Sequence, residues 1–330
     1  MFSKVCGSAA VISALWSGVV AFGVIFLLTE LCSRYQSGNL IDTAVKAFGN
    51  FGRYIVTIIV AACLFISAIT TLGELSQLSK VISFPTAPLW YVLVFYALGA
   101  VCGALGNIGV ITRLHGIFVP LVIAGLAILI ISVIFGGDIS RIFPILGEGI
   151  QATFGKGLSG IIMFSDILLF FLILPKNTAE PFPKKKILTA SVIGISISVL
   201  FVFALVLSVS PTVAAEDSFP FYLVLKEVYY GRFFQRIDAI MLFLSAVSGM
   251  LYLSLNAASF SCVTDGIFKT GRQKLISTFY MVFTSISTLL ASVISSKVLE
   301  YLIFLLSFGG IALLIITMFF ARGRKSNEKT

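Results

Sequence analysis

Nine uninterrupted apolar stretches, each close to the roughly 20 residues that carry a helix across a hydrocarbon core, dominate this chain. They lie at about 8–30, 54–75, 88–105, 109–135, 158–174, 187–209, 237–260, 275–295 and 299–321. A backbone in lipid must satisfy its own hydrogen bonds, so such stretches fold as helices that bury their polar faces against one another. The fold class that follows is an all-α integral membrane protein, a multi-span helical bundle. Little of the 330 residues remains for a separate soluble domain, and 1–330 reads as one transmembrane domain. The first stretch is too long for a signal-peptide core and ends in Glu30 without a small-residue cleavage site, so it counts as a span.

Composition then removes several classes of function. Charged residues are 11% of the chain against 58% hydrophobic, and the formal charge of +9 is a topology signal rather than a nucleic-acid footprint. Cys6, Cys32, Cys63, Cys102 and Cys262 are dispersed without CxxC spacing, which gives neither a disulfide framework nor a metal site. With one histidine, His115, and no phosphate-binding glycine loop, HExxH or nucleophile elbow, neither an enzyme nor a cofactor is expected. Sorting the 23 Lys and Arg by loop puts 8 on the N-terminal side and 15 on the other. The positive-inside rule therefore places the C-terminus in the cytoplasm and the N-terminus outside. Lys184 to Lys186 and Arg322 to Lys325 are anchors on that inner side, within reach of anionic membrane lipid.

Polar groups inside the spans are the candidate site. Asp166 sits eight residues from either end of the fifth stretch, about 12 Å along a helix, where it cannot snorkel to a headgroup. It would bind a substrate ammonium, hold a cation or carry a proton, or else serve a structural pairing. That stretch is short and preceded by Gly155, Gly157 and Gly160, the pattern of a discontinuous helix, with the break placed at Phe164, Ser165 and Asp166. The competing reading is an intact tilted helix with small residues for close packing. The second stretch carries Ser67, Thr70, Thr71 and Glu74 on one face, and the seventh carries Ser245, Ser248, Gly249 and Tyr252, continued by Asn256. The eighth adds Thr284, Ser285, Thr288 and Ser292. Such stripes line a site or simply hold helices together. The long connection 210–236 contains an apolar run, Phe219 to Leu225, too short to span; a surface helix starting near Ser218 and Pro220 and ending near Gly231 is expected, as a connector or as a lid. Gly116 and Pro120 are expected to kink the fourth span.

The run PFYLVLKEVYYGRFFQRIDAI, Pro220 to Ile240, resembles the spore germination permeases, the B subunits of nutrient-germinant receptors within the amino acid/polyamine/organocation permease superfamily. TAPLWYV (Thr86 to Val92), GNIGVITRL (Gly106 to Leu114) and IFPILGEGI (Ile142 to Ile150) agree in order, so the resemblance covers nearly the whole chain, and Gly231, Gln235, Arg236 and Asp238 are its most specific constellation, structural or gating in role. The resemblance implies an inverted five-helix-repeat permease fold with nine of ten helices present, the first being absent through a miscalled start or a reduced gene. It implies a membrane subunit that binds a small nutrient, an amino acid in the first place, and triggers germination with A- and C-type subunits in the spore inner membrane. The other reading is an amino-acid permease or symporter of the cell membrane, coupled to a proton or cation. Two departures stand out: members commonly carry Glu where this chain has Asp238, and a Trp further along that helix, where none occurs here.

Overall fold

The computed structural model describes residues 7–34, 40–106, 108–144, 147, 149–155, 183–217, 219–227, 237–268 and 271–293. Among these, nine α-helices follow one another: α1 (Ala10–Arg34), α2 (Leu40–Ile82), α3 (Leu89–Ala104), α4 (Ile108–Phe135), α5 (Lys184–Ser208), α6 (Pro211–Glu216), α7 (Pro220–Glu227), α8 (Ile237–Phe268) and α9 (Gln273–Val293). Six of them are long and apolar enough to cross a membrane, and α3 is a shorter apolar helix. The chain is thus a multi-pass membrane protein whose described part is helical. The fifth and ninth apolar stretches lie outside the described residues, as do Phe164, Ser165, Asp166, Gly231, Gln235 and Arg236.

Two expectations need correction. The second span is not confined to 54–75: α2 starts at Leu40, leaves helical geometry at Gly49 (φ 70°, ψ −156°), and resumes as an apolar segment Gly49–Ile82. Lys46, Gly49 and Arg53 had the look of a loop because they interrupt the apolar run, yet glycine reaches positive φ without steric cost and lets the helix turn there rather than end. The connection after α5 also holds two helices rather than one. Pro211 opens α6 at the first helical position, where its missing N–H costs nothing. The expected short helix is α7, and Phe221 and Leu225, one turn apart, bury its inner face against Leu129, Val133, Leu205 and Ile237. Helix α4 passes through Pro120 without ending.

Helix α8 is the hub, packing on α2, α3, α4 and α9, while α1 pairs with α5. Close approach at the hub depends on small residues. Ala68, Leu72, Ala100, Ala104, Leu253 and Ala257 lock α2, α3 and α8 into one buried cluster. In a bilayer the drive for this is van der Waals packing rather than expulsion of water, which is why glycine and alanine occupy the contact. At one membrane end Lys184 of α5 donates to Glu30 of α1 at 2.9 Å. At the other, Ser208 donates to the carbonyl of Val133 and the N–H of Asp138 to that of Leu207, at 3.3 and 2.9 Å. The segment Gln151–Gly155, a single π turn, docks on α1, where Ser13 donates to the carbonyl of Thr153 at 2.9 Å and Trp16 meets Phe154 edge-on. In sequence, this turn precedes the stretch that holds Asp166.

Candidate functional site

The polar stripes of α2 and α8 meet at the middle of the bundle, joined by a residue of α9. Leu64 lies 15 residues from Gly49 and 18 from Ile82, near the centre of the α2 span, and Tyr252 and Tyr280 lie near the centres of Ile237–Asp265 and Gln273–Ser292. At 1.5 Å per residue each is more than 10 Å from either end of its span, beyond the reach of headgroup water. Here the Ser67 and Tyr252 hydroxyls form a short hydrogen bond between α2 and α8. Asn256, one turn beyond Tyr252 and fully buried, donates through its amide to the carbonyl of Leu64 at 3.2 Å and to the Tyr252 hydroxyl at 3.4 Å. Tyr280 from α9 lies 2.7 Å from the Asn256 amide oxygen and 2.9 Å from the Leu64 carbonyl.

A phenol has one proton, so Tyr280 donates to one of these two acceptors at a time. Ser67 and Tyr252 likewise can exchange donor and acceptor roles. The network's described members are uncharged, with hydroxyl protons that can rearrange without breaking the helices that carry them. Rings enclose it: Phe260 stacks on Tyr280 with centroids 4.0 Å apart, and Phe65 meets Tyr280 edge-on at 6.2 Å and stacks on Phe283 at 5.2 Å. Chemically, the four side chains bring hydrogen-bond donors and acceptors together where α2, α8 and α9 meet. Among the described residues there is no cluster of three or more His, Cys, Asp or Glu able to hold a metal.

The sequence candidates divide into two groups. Ser67 and Tyr252 are brought together, and Asn256 joins them. Thr70 and Ser248 instead donate to carbonyls of their own helices, Thr70 to Ile66 and Ser67 at 3.1 and 3.0 Å and Ser248 to Leu244 and Ser245 at 2.8 and 3.2 Å. Asp238 is buried in the first turn of α8, where a carboxylate complements the positive end of the helix dipole. Tyr280 was not singled out by sequence. Its signal was available, since it stands one turn before Thr284 on the buried, hydroxyl-rich face of α9. A cavity of about 670 Å³ opens elsewhere, at the membrane end where α3 meets α4 and α8 meets α9, lined among others by Gly106, Ser261, Cys262, Arg272 and Lys274.

A hub helix packed by small residues and an uncharged hydrogen-bond network near the centres of its spans are features of a permease-type membrane protein. A family profile described as spore germination protein, of the spore permeases, matches residues 4–296, so the chain belongs to that family. Among solved structures, the substrate-bound, outward-open state of a Na⁺-coupled sialic acid symporter is similar, with a TM-score of 0.65 at 13% identity, covering 96% of this chain and 77% of the other. At that identity the likeness is one of fold, a multi-span helical transporter architecture. No curated protein matches the chain.

Proposed function

We propose that this membrane germination protein is the nutrient-binding subunit of a germinant receptor, and that its ligand is an amino acid bound near midmembrane between α2, α8 and the stretch around Asp166. The observation that carries this is the Ser67–Tyr252–Asn256–Tyr280 network, a rearrangeable set of uncharged donors and acceptors, with Asn256 and Tyr280 buried and Ser67 and Tyr252 half-buried, inside a permease-type bundle. A zwitterion entering the membrane needs both kinds of partner. Asp166 would meet its ammonium, and the hydroxyls its carboxylate. Phe164 and Ser165 would contact the same ligand if the helix breaks there, and Gly231, Gln235, Arg236 and Asp238 would have a structural or gating role.

Binding then shifts the population between two arrangements of the bundle, which A- and C-type subunits read in the spore inner membrane. By the loop-charge count, the C-terminus faces the cytoplasm. Asp166→Asn tests this reading: the germination dose-response should weaken while protein abundance holds, whereas an unchanged curve would make Asp166 structural. The symporter-like fold favours one second reading, an amino-acid permease coupled to a proton or cation. Uptake of labelled amino acid by proteoliposomes containing this chain alone, dependent on a pH or sodium gradient, would establish transport; binding without uptake would favour the sensor.

A further inference from the structure

Near the membrane end of α2, one donor atom each of a charged and a hydroxyl side chain has no described acceptor. The Nε of Arg53 and the hydroxyl of Thr57 are both buried and have no hydrogen-bond partner among the described residues. Thr57 is 3% exposed. A buried hydroxyl in a helix ordinarily donates to a carbonyl one turn back, as Ser76, Ser79, Ser254 and Ser259 all do here. Thr57 does not. Unpaired buried donors are costly, most of all next to a cation, and a native structure that keeps them gives a reason to look for an absent ion.

Their placement is that of a clamp. Arg53 and Thr57 are spaced i, i+4, so their Cβ atoms lie about 5–6 Å apart on one face of α2. The spanning segment starts at Gly49, so the two residues occupy its first two turns, where the positive end of the helix dipole adds to the guanidinium. Carboxylates described at this membrane end are engaged elsewhere: Glu30 accepts from Lys184, and Asp265 from the N–H of Gly271 and the amide of Gln273 at 2.8 and 3.1 Å. The surroundings are tight and apolar, with Val56 and Val60 of the same helix packed against Ile25, Leu28, Cys32 and Val263.

We infer that Arg53 and Thr57 form an oxyanion site at the inner end of α2, taking a single carboxylate or phosphate group between the guanidinium and the hydroxyl. The site lies on the face of α2 that carries Leu64 two turns further along, so its occupancy bears on the helix that supports the midmembrane network. The group has two sources, a solute at the membrane surface or the headgroup of an anionic lipid.

The test uses the full chain in phosphatidylcholine nanodiscs, with its thermal unfolding midpoint followed as sodium acetate or inorganic phosphate replaces sodium chloride at constant ionic strength. A parallel series replaces part of the lipid with phosphatidylglycerol. Wild type should be stabilised saturably, by the solutes if the source is soluble or by phosphatidylglycerol alone if it is lipid. Arg53→Gln should raise the half-saturating concentration by about tenfold or more, as expected for a hydrogen bond to a charged group. Thr57→Val should raise it severalfold while leaving the midpoint in chloride unchanged, which a merely structural threonine would not do; this variant decides the matter if Arg53→Gln does not fold. Equal responses of wild type and Thr57→Val, or no response of wild type beyond the chloride control in either series, would overturn the inference.

Discussion

Replacing Gly103 with alanine places a methyl group where α3 touches α8. A Cβ built there would lie 2.2 Å from the hydroxyl oxygen of Ser254 and 2.8 Å from its Cβ. Carbon contacts are comfortable at about 3.5–4 Å. Turning the Ser254 hydroxyl away would relieve the first conflict and break its 2.7 Å bond to the Met250 carbonyl. It would not relieve the second, because a Cβ position is set by the backbone. The helices must therefore separate by close to 1 Å, and overpacking of this kind costs about 1–3 kcal/mol. Gly99, one turn earlier, makes the contrast: its Cβ would meet only the flexible end of Met250, at 3.0 Å, so Gly99→Ala should cost less than about 1 kcal/mol. Ser254→Gly should rescue Gly103→Ala, giving a coupling of about 1 kcal/mol or more in a double-mutant cycle. Unfolding of the purified chain in mixed micelles, followed by a thiol dye reporting on the buried Cys32, measures all four variants. Equal stability of wild type and Gly103→Ala, or a worse Gly99→Ala, would refute the proposed contact.

Three further outcomes are expected. Tyr280→Phe leaves the Asn256 amide oxygen buried without its phenol partner and should destabilise by about 1–3 kcal/mol, with positive coupling to Asn256→Ala in the same unfolding assay. Glu30→Gln should change stability by less than about 1 kcal/mol, and less still at high salt, because its bond to Lys184 joins side chains that are 33% and 40% exposed. Asp138, exposed beyond α4, is held below the usual carboxylate range by hydrogen bonds from the Ser140 side chain and N–H. A depressed folded pKa means its contribution is present above the ordinary carboxylate value near 4 and is lost as pH falls through the lower folded value. The stability difference between wild type and Asp138→Ala should accordingly be seen at pH 7 and vanish in acid.

The spans were legible because hydropathy alone decides what can cross a bilayer; third, fourth, sixth, seventh and eighth apolar stretches correspond to α3, α4, α5, α8 and α9. Helical continuation through Lys46 to Arg53 was not legible, since charge and glycine together look like a loop until Gly49 supplies the turn between two helical segments. At the site, period alone singled out Ser67 and Tyr252, which bond across α2 and α8. It could not separate them from Thr70 and Ser248, because a helical hydroxyl can satisfy itself on its own backbone and only packing decides which one reaches across. Tyr280 was missed although its place on the hydroxyl-rich face of α9 was readable, because only the Leu64 carbonyl and Asn256 beside it show that its phenol bonds across helices. Arg53 likewise passed as one more inner-side charge. Its buried Nε shows only in three dimensions.

Most direct for the central claim is equilibrium binding of radiolabelled amino acids to the full chain in nanodiscs, comparing wild type with Tyr252→Phe and Asn256→Leu. The expected result is saturable binding of at least one amino acid, weakened about tenfold or more by either substitution, as loss of a hydrogen bond to a charged ligand group would require. Binding that is unaffected in both folded variants would contradict a site built on the α2–α8–α9 network.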